Sequence, residues 1–217
     1  MNYTQDEINS KVKRIYQDFT NKNLVVYNCK NYKIKEMMRG VPTYSGIIVL
    51  FDENNGKKRI VFVGNSTNVR RRVREFFQDK RRNATLKRHV GNAFISKEIG
   101  QEIADLWWDY QNSRRFETKD YELIEKKYIE KVHDYIKNNL SFVVIHIDEG
   151  RQEEFAQKIL STLSWCKSFI NEDWLGKYST KRQVREAGLW AIKTHKKEYV
   201  MDDDDFEYLE NSLRGEE

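Results

Sequence analysis

Apolar residues near the start of the chain recur with a helical period. Ile8, Val12, Ile15, Tyr16 and Phe19 are spaced three and four residues apart. That spacing places them on one face of an amphipathic helix over residues 5–20. Thr4 and Glu7, just ahead of this face, have the spacing of a capping box. Residues 24–27 form a short apolar run suited to an edge strand. The period then changes. Gly46-Ile-Ile-Val-Leu-Phe51 and Arg59-Ile-Val-Phe-Val63 are continuous runs rich in β-branched and aromatic residues. Between them, Asn55-Gly56 favours the positive φ angles of a tight hairpin turn. Gly64 is expected to end the second strand. Ser66 or Thr67 is expected to cap a helix with Val69, Val73, Phe76 and Phe77 on one side and most of its arginines on the other.

Helical spacing returns over 85–95, over 98–108 and most strongly over 121–137. In the last of these, Leu123, Ile124, Tyr128, Val132, Tyr135 and Ile136 share a face. Residues 111–119 read as a polar loop between two of these helices. Residues 141–147 predict a third strand and 153–163 a further helix. A loop over 171–176 and a short helix over 179–187 follow. No internal repeat is present. The expected fold is α/β (α+β): a small central antiparallel sheet flanked by helices. The expected organisation is an extension over 1–40, a main domain over 41–195 with a helical insertion at about 84–140, and an acidic tail over 196–217.

Charge adds a second pattern. The chain of 217 residues carries 39 Lys and Arg against 34 Asp and Glu, a net charge of +5. The distribution matters more than the total. Arg70, Arg71, Arg72, Arg74, Lys80, Arg81, Arg82, Lys87 and Arg88 crowd one stretch, diluted by Glu75 and Asp79. Such a face binds phosphates by releasing counterions. The opposite end carries Asp202, Asp203, Asp204, Asp205, Glu207 and Glu210, which read as a solubilising end or a shield for the basic face. Cys29 and Cys166 are far apart, and neither they nor the four histidines have metal-ligand spacing. No apolar run approaches ~20 residues, so no membrane span is expected, and the reading is of a reduced, soluble, cytoplasmic protein. Trp107 and Trp108 read as a buried pair between helices, with base stacking as the alternative.

The hairpin, its glycine and the basic helix together resemble the core of the GIY-YIG nuclease family. Gly46-Ile47-Ile48 stands at the first motif and Phe62-Val63-Gly64 at the second. Asn65-Ser-Thr-Asn-Val-Arg-Arg-Arg72 leads into the helix that presents an arginine in that family. Further likeness runs through His89-Val-Gly91, residues 142–147, 161–164 and 171–176, and Gly188-Leu-Trp190, so it covers residues 40–192. The resemblance implies a Mg²⁺-dependent endonuclease acting on double-stranded DNA. Arg72 then becomes the clamp on the scissile phosphate. Arg70, Arg71, Arg74, Arg81, Arg82, Lys87 and Arg88 become DNA contacts, and His89 a base, a phosphate contact or a structural histidine.

The departures from the family pattern bear on chemistry. The two tyrosine positions hold Ile48 and Phe62, which have no hydroxyl. Tyr44, four residues before Ile48, is an alternative phenol. The family's metal-binding glutamate falls at Ala156, which cannot bind a cation, and Glu153 is one turn earlier on the same face. Two origins fit Ala156: natural loss of catalysis with binding kept, or a deliberate replacement that traps an uncleaved complex. Three functions follow from these residues. They are an endonuclease, a catalytically dead DNA-binding protein on the same fold, and an interaction protein whose acidic end meets a basic partner.

Overall fold

The computed structural model describes residues 3–20, 24–28, 30, 34–54, 57–77, 85–112, 119–166, 173–192 and 199–214. The elements run α1 (Gln5–Phe19), β1 (Tyr27–Asn28), α2 (Ile34–Gly40), β2 (Gly46–Asn54), β3 (Lys57–Ser66) and α3 (Val69–Phe77). They continue as α4 (Thr85–Glu98), α5 (Gln101–Asn112), α6 (Lys119–Asn139), β4 (Leu140–His146) and α7 (Gln152–Ser164). A 3₁₀ turn (Leu175–Tyr178), α8 (Arg182–Ala187) and α9 (Asp203–Arg214) complete the chain. The sheet order is β1-β4-β2-β3 with every neighbour antiparallel. The expected fold is the one found.

Strand β2 lies between β3 and β4 and is covered on both faces, which is why its sequence is continuously apolar instead of alternating. Ile47, Val49 and Phe51 point into a layer with Ile8, Val12 and Ile15 of α1, Phe155 and Ile159 of α7 and Phe206 of α9. Ile48 and Leu50 point the other way, to Val69, Val73 and Phe76 of α3, Leu86 and Val90 of α4 and Val132 and Ile136 of α6. The pairing Leu50↔Phe62 followed by Phe51↔Ile60 leaves Val61 as an extra residue on β3. This bulge lets the consecutive Val61 and Phe62 share the α3 face, while Ile60 and Val63 share the other. The Val61 carbonyl accepts instead from the Trp190 amide at 2.7 Å.

Several boundaries move, each for a local reason. The capping box at Thr4 and Glu7 forms as expected. The edge strand is Tyr27–Asn28 and not 24–27, because pairing begins at Tyr27↔Phe142 while Val25 and Val26 stay exposed. Gly64 does not end β3, which pairs on to Gly46↔Ser66; Asn55-Gly56 lies outside the described residues, and pairing reaches Asn54↔Lys57 beside it. Asn68, not Ser66 or Thr67, caps α3: its Oδ1 accepts from the Arg71 amide at 3.0 Å. Ser66 supports that cap by accepting from the Asn68 amide at 3.1 Å. Helices α5 and α6 reach Asn112 and back to Lys119, shortening the expected loop. Residues 179–181 precede α8 because Asn92 Oδ1 accepts from the Thr180 amide at 2.9 Å and holds that segment extended.

The acidic end is a helix and not a solvated tail. Phe206 and Leu209 are buried in the same layer as α1 and α7. Asp202 and Asp205 cap α9 reciprocally, each carboxylate accepting from the other's amide at 3.0 Å. Carboxylates also suit the positive end of a helix dipole. The second Asp205 oxygen accepts from Lys158 Nζ at 2.8 Å, tying α9 to α7. No helix among the described residues is long and apolar enough to cross a membrane.

Two predictions follow from the α1–α9 seam. Phe206→Ala should cost about 3–5 kcal/mol, the usual range for emptying a core aromatic site; a denaturation midpoint near that of the parent would mean α9 is not docked. Asp18 is the second case. Burial first, then the neighbouring Glu210, lifts its carboxyl to about 6, with Arg14 opposing. The folded state therefore holds this proton longer than the unfolded chain, whose aspartates titrate near ~3.9. Stability should fall as pH rises from about 4 to 6 and stay lower above that window. Asp18→Asn should abolish that fall in thermal scans across the window; an unaltered slope would clear Asp18.

Candidate functional site

On the α3 face, register sets three rows across the sheet: Ser66–Gly46–His146, Gly64–Ile48–Val144 and Phe62–Leu50–Phe142. The first row opens the end of the sheet where α3 begins. The Val69 amide donates to the Tyr44 carbonyl at 3.1 Å, which fixes α3 against the residues leading into β2. Ser45 Oγ donates to the Ile147 carbonyl at 2.6 Å and clasps the end of β4 to the same place. The Tyr44 ring meets the His146 ring edge-on at 5.2 Å and 75°. Tyr44 is 36% exposed. Burial, then Tyr27, pushes its phenol above the usual tyrosine range, so it keeps its proton at neutral pH.

Arg72 lies on the first two turns of α3. Its Nη1 donates to Glu75 Oε2 at 2.9 Å, and its guanidinium carbon lies 5.3 Å from the Phe76 ring centre. Its Nε is buried without a hydrogen-bond partner. Phe76 in turn meets Phe62 edge-on at 5.5 Å. The side chain is 32% exposed, so it combines a fixed base with an open end.

The model of the GIY-YIG domain family matches residues 7–216. The chain belongs to the GIY-YIG family. Comparison with curated proteins and with solved structures gave no match. The family match takes in α1 and α9 as well as the motifs over 40–192, in keeping with their shared core layer.

Ile48 and Phe62, expected from the sequence at the GIY-YIG tyrosine positions, lie on the same face as α3. They fill that face with packing groups. The neighbouring phenol and imidazole come from Tyr44 and His146. Sequence reading passed over His146, although the alternation of Phe142, Val144 and His146 along β4 places it there. Arg70 donates from Nε to the Val41 carbonyl at 2.5 Å, which anchors the strand entry. Arg71 and Arg74 are exposed. Arg81 and Arg82 lie outside the described residues. Lys87 is buried. Arg88 lies over Trp108, with 4.4 Å from guanidinium carbon to ring centre. His89 is fully buried beside Trp108, so it belongs to the α4–α5 side.

GIY-YIG nucleases generally use divalent metals. Mg²⁺ requires a set of oxygen ligands. Ala156, expected from the sequence at the glutamate position, is 4% exposed and packs with Ile47, Val49 and Ile159 on the face opposite α3. Glu153 is exposed on the first turn of α7. Glu75 is engaged by Arg72 itself. Among the described residues, no three His, Cys, Asp or Glu side chains group as metal ligands. The described residues therefore do not fit the family's metal.

The second motif's glycine is required by close approach. A Cβ at Gly64 would stand 2.7 Å from Phe62 Cε1. Gly64→Ala should therefore cost roughly 1–3 kcal/mol through displacement of that ring from Phe76. Adding Phe62→Leu should reduce the penalty in a double-mutant cycle; strictly additive effects would show that the ring is not what the methyl meets.

Proposed function

We propose that this GIY-YIG protein grips the phosphate backbone of double-stranded DNA through α3, without the family's metal-assisted hydrolysis. The observation that carries this reading is the contrast between two family positions. Arg72 keeps a guanidinium with an unpartnered Nε on an aromatic base. The glutamate position is an alanine turned into a core layer on the other side of the sheet. Exposed Arg71 and Arg74 widen the cationic face, and Arg81, Arg82, Lys87 and Arg88 follow in the chain. Backbone contacts of this kind fix register and orientation but carry no base identity.

The second reading is a Mg²⁺-dependent DNA endonuclease. It is favoured by the ring pair of Tyr44 and His146 beside the start of α3. A phenol and an imidazole are groups able to move a proton at a phosphodiester. In this reading Arg72 and Tyr44 are the catalytic candidates with His146 in place of the buried His89, and Glu153 is the carboxylate left to meet a cation.

Retention of duplex DNA and cleavage of plasmid with Mg²⁺ separate the two, run on the chain as it stands and on Ala156→Glu. Salt-sensitive retention with no cleavage in either protein is expected. Cleavage by the chain as it stands would establish the second reading, and cleavage only after Ala156→Glu would show a nuclease disabled at one position. Arg72→Ala should weaken binding about tenfold for every duplex tested and reduce the salt slope by about one. Equal affinity of Arg72→Ala and parent would remove Arg72 from the interface.

A further inference from the structure

The α4–α5 side of the molecule carries a second group of cations, built around a tryptophan and a histidine. The His89 ring is fully buried, 5.0 Å from the Trp108 ring at 44°. Neither of its nitrogens has a hydrogen-bond partner among the described residues. Arg88 lies 4.4 Å and Lys181 Nζ 4.9 Å from the Trp108 ring centre. The segment before α8 that carries Lys181 is held in place by α4. Asn92, one turn beyond His89 on α4, accepts from the Thr180 amide at 2.9 Å and donates to the Ala104 carbonyl of α5 at 2.9 Å. One asparagine thus sets the spacing of α4, α5 and the Ser179–Lys181 segment. Lys181 Nζ donates to Asp105 Oδ1 at 3.1 Å.

We propose that Arg88, His89 and Lys181 form a phosphate-binding site around Trp108. A buried imidazole with both nitrogens unpartnered is costly, because each polar group loses its water contacts without replacement. Phosphate oxygens supply acceptors for the imidazole N–H, the guanidinium and the ammonium together. Burial, then Arg88 and Lys181, lowers the His89 pKa to about 3, so the ring is neutral with two cations near it. An anion reverses the electrostatic part of that penalty. Asp105 is the built-in competitor: an arriving phosphate takes Lys181 from it.

A free phosphate and a backbone phosphate offer the same oxygens. The site stands apart from α3 for the first ligand and rests on the DNA-binding reading for the second. The test follows the His89 ring signals of the full chain by nitrogen-detected NMR during titration. Inorganic phosphate should shift them saturably, while chloride at equal ionic strength should not. Lys181→Ala should weaken the phosphate effect about tenfold, the loss of one charge-assisted contact. Asp105→Asn should strengthen it. A duplex oligonucleotide that produces the same shift assigns the site to the DNA path; a shift with inorganic phosphate alone assigns it to free phosphate groups. Two results overturn the proposal: His89 signals indifferent to phosphate, or an equal response in Lys181→Ala. Because inorganic phosphate reads the site without DNA, loss of DNA retention by the whole protein would strike the α3 reading and leave this one standing.

Discussion

Burial of β2 on both faces is the constraint on which the rest of the molecule depends. A strand with neighbours on both edges and helices on both faces has no side open to water, so each of its residues is assigned to one of two apolar layers. Ile47, Val49 and Phe51 commit α1, α7 and α9 to one layer, and Ile48 and Leu50 commit α2, α3, α4 and α6 to the other. A shift of one residue in register would exchange the two sets. The bulge at Val61 is the exception, and it turns two consecutive β3 residues toward α3.

That division decides the chemistry. The cationic helix α3 shares one face of the sheet with Ile48 and Phe62, while Ala156, expected at the family's carboxylate position, is turned into the other. Arg72 rests on Phe76, which rests on Phe62, so the ring that remains at the second motif holds the arginine instead of supplying a hydroxyl. The strand ends beside α3 bring Tyr44 to His146 through backbone clasps at Ser45 and Val69. These contacts fix a guanidinium against Phe76 and a phenol and an imidazole at one end of the sheet. They do not gather the oxygen donors that a divalent cation needs.

Charge along the chain is likewise sorted by packing and not by composition. The aspartates of α9 cap their own helix and hold Lys158, so part of the acidic charge is spent internally on joining α9 to α7. Cations of α3 and α4 are treated differently from one another. Arg71 and Arg74 face solvent, whereas Lys87 is buried and Arg88 is drawn over Trp108. Among the described residues, the basic run is therefore divided between an exposed set on α3 and a packed set on α4.

Local signals in the sequence determined the elements: the capping box at Thr4, the apolar runs over 46–51 and 59–63, and the helical spacing of α3 and α6. They also carried the family, because Gly46, Gly64 and Arg72 are spaced by one hairpin and one helical start. The sequence could not disclose which face each helix covers, since a strand apolar throughout has no polar side to orient it. Only the tertiary structure put Ala156 behind the sheet, brought His146 to Tyr44 and buried Phe206 beneath an aspartate run. It also brought Lys181 within electrostatic reach of His89, 92 positions earlier in the chain, with Asn92 holding the neighbouring Thr180. Each of these depends on contacts between elements distant in sequence, and such contacts are fixed by the two layers and not by any local period.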